Sequence, residues 1–565
     1  MVSNPGLRKA RLRACARPTL LSFALAVAAQ AAVAGEPPPR AEHLRHKSIG
    51  IYVGSELTAD GSTLLGGFGH EPSSHWVEVV PRQHHPEGAT TAVGVTSEAS
   101  IPGELTDMPQ ARETYKHITS NYSEFAGFPP PLTNGGLNEH GVAARDIWSP
   151  SRQELIDMSE EAAPQTGPNY SDLARAAMER ATTAREAVEV IGALMDEHGY
   201  STYGGNSHLI ADEKEGWVFI NFAGGQRLWA AERLGADEIR VSYFGYIHDF
   251  PVDHHEHDDY LASDHLVDFA REQGWWDGDG PFNVQEVYGR PFPGDEPGDL
   301  YPAFYDEARN PPQREQELHA MAPISLEDML AYVRDPRWSN DFSGYGQVAH
   351  LRPDVHPELQ TLWLAVTSAI TTPFVAIPIG TEDIPPEFRQ HRYMTKHADS
   401  HFIDPDYAPL EATRYATRTF KRLLYHTCEH PREFLRPVTA EIEAFERDLI
   451  DLRASVEQEA LELLQTGDDE AARALITEDV ERRLLQSLDL GEDLVRAVER
   501  QTRETHGIRM PEGVRVEGET TPPTSQPMGR LGWGGMVHCY DEALDDYPRE
   551  HGIYGSAHGL REIAR

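Results

Sequence analysis

Apolar and polar positions first alternate at residues 48–53, where Ile49, Ile51 and Val53 fall on one face and Ser48, Gly50 and Tyr52 on the other. That period of two predicts a strand. A polar turn through Ala59, Asp60 and Gly61 leads to a second apolar run, Thr63 to Leu65, so the pair reads as a hairpin. His75 to Gln83 reads as a third strand, and Pro81 marks its end. Residues 84–134 hold few periodic segments and read as loops; Asn138 to Ala144 reads as a turn entering a strand.

The period then changes. Within residues 171–199, Ala184, Ala187, Val188, Ile191, Leu194 and Met195 recur at helical spacing as one stripe. Thr183 with Glu186 three residues on forms a capping box, and Gly199 is placed to stop the helix. A helix with one apolar face lies on a sheet. Strands for that sheet follow at once: His208 to Ala211, a turn at Asp212 to Gly216, Trp217 to Phe222, and Arg227 to Arg233. A later strand group spans Leu362 to Ile379. Hairpin strands with covering helices predict an α+β fold, two antiparallel sheets between helix layers. From Leu410 to His506 the pattern is helical, with a seam of Ile442, Phe445, Leu449, Leu452 and Val456. Residues 508–565 are rich in Pro and Gly and read as an extended tail.

The first 47 residues change the picture of where the protein works. Arg8, Lys9, Arg11, Arg13 and Arg17 precede an apolar run, Leu20 to Ala34, which ends in small residues. That order is a secretory signal peptide, 1–34, and places the protein in the periplasm or outside the cell. Residues 35–47 read as a spacer or propeptide, 48–409 as the sheet sandwich, 410–507 as a helical region packed on it, and 508–565 as the tail. Thr361 to Gly380 is long enough to span a bilayer, but Ser, Thr and two Pro interrupt it, and it reads as buried strands. With Cys15 in the signal, Cys428 and Cys539 either pair or stay as two buried thiols.

A formal charge of −41 leaves no basic face for nucleic acid. Only six basic residues are Lys. Such an acidic, Lys-poor surface suits a salt-rich environment, where screening removes its self-repulsion. The cluster Asp253 to Asp259, DHHEHDD, has the residue types of a metal site but reads as solvated loop. No G-x-S-x-G elbow, G-x-G-x-x-G cradle or Walker lysine motif occurs, so neither metal nor cofactor is expected.

The hairpin, with its V-G and D-G-S, resembles the start of the dipeptidase A family, which includes the secernins. The resemblance continues in GGLNEHGVAARD (Gly135 to Asp146), GGNSHLIADEKEGWVFINF (Gly204 to Phe222), DDYLASDHL (Asp258 to Leu266) and the block Leu351 to Gly380. It covers roughly residues 48–500. It implies an N-terminal-nucleophile hydrolase: a four-layer αββα sandwich with C-terminal helical additions. In such an enzyme the first residue of the opening strand is freed by cleavage of the bond before it. That residue is Cys in the family; here it is Ser48. A hydroxyl beside its own α-amine serves the same chemistry, attack on an acyl carbon to give an acyl-enzyme that water releases.

The supporting positions depart from the family. Its Arg-x-x-Asp pair after the second strand falls on Gly67 and His70, and a Gly supplies none of the donors of an Arg. Its oxyanion Asn falls near Tyr243, and a late Arg falls on Phe342. His70 as acceptor and Tyr243 as donor are the available substitutes. Asn138 and Asn206 lie in matching blocks as candidate contacts to substrate polar groups, or as holders of turns. Arg145 and Asp146, where relatives carry small polar residues, read as a local ion pair. The resemblance implies a secreted dipeptidase-like amide hydrolase acting on dipeptides or small amides. Two readings stay open beside it: an inactive binding or assembly protein on the same scaffold, and a non-peptide amidase or acylase.

Overall fold

The computed structural model describes residues 48–71, 75–123, 127–242, 247–289, 311–340, 343–389, 413–507 and 539. The expected signal, spacer and tail, apart from Cys539, lie outside them. Two antiparallel sheets form the centre. Their strands, in chain order, are β1 (Ile49–Val53), β2 (Thr63–His70), β3 (His75–Val80), β4 (His117–Tyr122), β5 (Leu132–Asn138), β6 (Ala143–Trp148), β7 (Asn206–Ala211), β8 (Gly216–Asn221), β9 (Trp229–Leu234), β10 (Ile239–Ser242), β11 (Tyr260–Ala262), β12 (Ser343–Leu351), β13 (Thr361–Ala365) and β14 (Val375–Pro378). The six-stranded sheet runs β10-β1-β2-β12-β13-β14, and the eight-stranded sheet runs β11-β9-β8-β7-β6-β5-β4-β3.

The predicted hairpin is present, with β2 longer than its apolar run implied. β1 is buried along its whole length because both its faces are covered. Its Gly50 is small for a reason: a β-carbon there would lie 2.6 Å from Ile147 Cδ1 and 2.7 Å from Leu209 Cδ1, on the facing sheet. Tyr52 points the same way and donates from its hydroxyl to the carbonyl of Gly235 at 2.9 Å. Side chains alternate along a strand. Ser48, Gly50 and Tyr52 therefore look into the space between the sheets, and Ile49, Ile51 and Val53 look away from it.

Helices pack against both sheets. The predicted helical stretch is two helices, α1 (Tyr170–Arg180) and α2 (Ala184–His198), both lying on the eight-stranded sheet. Thr183 accepts from the Glu186 amide as expected, and Gly199 closes α2 at φ 86°. Glu186 reaches Thr182 rather than Thr183, so the box is only half formed. On the six-stranded sheet, α3 (Pro311–Met321) contacts β10, and α4 (Leu326–Val333) contacts β2 and β12. Three more helices, α5 (Ala416–Glu429), α6 (Pro431–Gln465) and α7 (Asp469–Thr505), pack on one another, and α6 and α7 reach β14. Cys428 on α5 is disulfide-bonded to Cys539. Leu452, placed in the α6 seam from its spacing, is exposed. β4 lies inside, and β5 begins inside, the stretch 84–134 that reads as loop, and both are interior strands of the eight-stranded sheet.

Candidate active site

Ser48 precedes β1 and is 5% exposed. The register pairs Ile49 with Phe68, so one step further Ser48 stands opposite Gly69. Opposite residues of an antiparallel pair project to the same face. What meets Gly69 on that face therefore shares the space of the Ser48 side chain. A β-carbon at Gly69 would fall on the carboxylate of Glu71 and 2.5 Å from Arg145 Nη2. One at Gly344 would fall on the other side of that carboxylate. These glycines clear room for charge between the sheets.

Arg145 comes from β6 of the facing sheet, fully buried. Its Nη2 donates to Glu71 Oε1 at 3.4 Å, and its guanidinium lies 4.7 Å from the ring centre of Tyr345. His75 Nε2 stands 3.5 Å from Glu71 Oε2. Burial pushes the His75 imidazole below its usual range, against the pull of Glu71, and pushes the Tyr345 hydroxyl up to about 12. Arg145 Nε and Nη1, Glu71 Oε2 and both His75 ring nitrogens have no hydrogen-bond partner among the described residues.

Asp146, the chain neighbour of Arg145, points through the opposite face of the sheet. The local ion pair expected from their adjacency is absent for that reason. Asp146 instead accepts from Asn134 Nδ2 at 3.3 Å and from Asn206 Nδ2 at 3.1 Å, with His208 Nε2 at 3.6 Å. Burial drives its carboxyl well above the usual range and the His208 imidazole down to about 4.

Asn206 lies on this helix-side face and also accepts from the Tyr200 hydroxyl at 2.8 Å. Asn138 donates to the carbonyls of Met178 and Ala181 at the end of α1 and accepts from the amides of His140 and Val142. Of the residues picked from sequence, the structure brings neither Asn to the Ser48 face. The His70 side chain, Tyr243 and Phe342 lie outside the described residues. Reasoning from sequence missed Glu71 and His75; the signal available was the run Gly66-Gly67-Phe68-Gly69, too small to fill a sheet interior unless something larger enters.

In the stretch Asp253 to Asp259, His254–Glu256 forms one 3-10 turn and His257 pairs with Asp253 at 3.3 Å. No group of three His, Cys, Asp or Glu among the described residues is arranged to hold a metal. A small cavity between α6, α7 and β14, lined by Leu449, Arg453, Glu457 and Ile476, has room for about 30 Å³, the space of one or two waters.

A model of peptidase family C69 matches residues 49–300, starting one residue after Ser48. A protein of Salmonella dublin described as "Probable dipeptidase" is 24% identical over 244 residues, which covers 42% of this chain and 52% of that protein. The chain thus spans about half the length of this curated relative. Both comparisons support a peptidase.

Proposed function

We propose that the chain is an N-terminal-nucleophile amide hydrolase of the dipeptidase type on a four-layer αββα scaffold, with Ser48 as nucleophile. The observation that supports it best is the setting of Ser48: it opens a buried central strand and shares its face with a buried charged cluster. A strand-opening serine with no chemical role has no need of such neighbours. The peptidase family match over the residues that follow supports the same reading.

In this reading Ser48 Oγ first attacks the carbonyl carbon of Lys47, the acyl group moves from nitrogen to oxygen, and water hydrolyses the ester. A free α-amine at Ser48 results. In turnover that amine takes the Oγ proton as Oγ attacks the substrate acyl carbon, and passes it to the leaving amine. Water then cleaves the acyl-enzyme. Dipeptides or small amides are the proposed substrates, in line with what the relative is described as. We further propose that the protein is exported, a setting in which the Cys428–Cys539 bond persists.

The test is the N-terminal sequence and intact mass of the mature protein beside a Ser48→Ala variant, followed by a dipeptide screen. The expected wild type begins at Ser48, hydrolyses dipeptides, and loses both properties in the variant. Two chains that both begin upstream of Ser48 rule the mechanism out and leave the scaffold as a binding protein.

A further inference from the structure

We propose that the buried pair Arg145–Glu71 positions the reactive end of Ser48, with Glu71 accepting from its freed α-amine and Arg145 holding Glu71 from the facing sheet. The proposal rests on the reading of Ser48 as an N-terminal nucleophile. Three observations carry it. The β1–β2 register, continued one residue past Ile49–Phe68, opposes Ser48 to Gly69, and the volume a side chain at Gly69 would need is taken by the Glu71 carboxylate and the Arg145 guanidinium. The pair is buried to within a few per cent, which is unfavourable for charge unless its remaining hydrogen-bonding atoms are satisfied. Finally, Glu71 Oε2, with His75 Nε2 3.5 Å away, and two Arg145 nitrogens accept or donate no hydrogen bond among the described residues.

An ammonium or amine at Ser48 supplies a hydrogen-bond donor for Glu71 Oε2. The arrangement also replaces what position 67 cannot give. Gly67 has φ 140° and a β-carbon there would strike the carbonyl of Ile49, so no arginine fits at that position. The guanidinium enters from β6 instead, across the gap between the sheets.

The charges make a test with opposite signs. The titratable groups that act electrostatically on this cluster, beside Glu71 and Arg145 themselves, include His75, Tyr345, Tyr122, Tyr170, Asp146 and, from α5, Lys421. Glu71 favours the charged amine and Arg145 disfavours it. The amine works as a base only when neutral, so activity appears as pH rises through its pKa.

The experiment measures kcat/KM against pH for wild type, Glu71→Gln, Arg145→Lys and Arg145→Met, each confirmed by mass to begin at Ser48. Glu71→Gln should move the acid limb down by about half to one pH unit, and Arg145→Met should move it up by a similar amount. Arg145→Lys should keep the limb near the wild-type position while kcat falls about tenfold, because the fork is lost. If Arg145→Met does not fold, the paired variant Glu71→Gln/Arg145→Met, which has no unpaired charge, should fold and turn over at least about 100-fold more slowly. An acid limb that stays put in both single variants, limbs that move together, or a paired variant of wild-type kcat overturns the proposal. Full turnover in Ser48→Ala instead overturns the underlying reading, so the two failures are separable.

Discussion

Asn138 commits all four of its side-chain hydrogen bonds to backbone: two donated to the last turn of α1 and two accepted inside the β5–β6 turn. It is fully buried, so an alanine there leaves four polar groups short of partners at once. Asn138→Ala is expected to cost about 2–4 kcal/mol in urea unfolding, and a cost under about 0.5 kcal/mol would show that other groups or water take over. Legibility at this scale was uneven. Ser48 stands out from sequence because it begins a regular alternation. The partners of Arg145 and Asp146 do not, because adjacency in the chain suggests a contact that the strand's alternation forbids. Arg145 meets Glu71, 74 positions away, and Asp146 meets Asn206, 60 positions away.

At the scale of elements, β2 is the strand most sensitive to size. Gly67→Ala puts a β-carbon against the Ile49 carbonyl in a backbone region that L residues avoid, in the middle of a two-sided ladder. It is expected to abolish accumulation of folded protein. Gly61→Ala, at φ 75° in the open turn with nothing within 4 Å, should cost only about 1 kcal/mol. Equal melting temperatures for the two variants would contradict the close packing of β1 on β2. Glu315 on α3 gives a pH-dependent case. Its carboxylate accepts from the Val241 amide of β10 at 2.9 Å, and burial raises its pKa to about 7. A raised carboxyl binds its proton more tightly when folded, so its contribution is present below about pH 4.5 and is lost as pH rises through 7. Glu315→Gln should therefore gain stability over wild type at pH 8, on the order of 2 kcal/mol, and none at pH 4.5, read from unfolding midpoints. Sequence patterns found α2, where burial is one-sided and periodic, and the hairpin and the β7–β9 meander, whose largely buried strands are rich in apolar residues. They missed β4 and β5 because HITSNY and LTNGGLN are buried on both faces yet polar and glycine-rich, with no period to read.

For the whole molecule, charge and the covalent link are the terms that act over the longest range. A formal charge of −41 with only 50 basic residues makes the folded chain repel itself. The melting temperature should rise when KCl is raised from 0.1 to 1 M, and a fall would mean that specific surface pairs outweigh the net repulsion. The Cys428–Cys539 bond opposes unfolding in another way. It joins α5 to a segment beyond α7, closing 111 residues that include both long helices. The sequence left this pairing open, since cysteine spacing alone does not fix which thiols meet. In the chain-entropy account a loop of this length restricts the unfolded ensemble by about 4–5 kcal/mol, and measured losses of such bonds run about 2–5 kcal/mol. Cys539→Ser should lower the unfolding free energy within that range and make the protein insensitive to reductant, while reductant lowers wild type to the level of the variant. The decisive control is thiol labelling of denatured, unreduced protein, where no free Cys428 or Cys539 is expected. Two labelled thiols would mean that α5 is held against the body by packing alone, and Cys539→Ser would then leave the midpoint where it was.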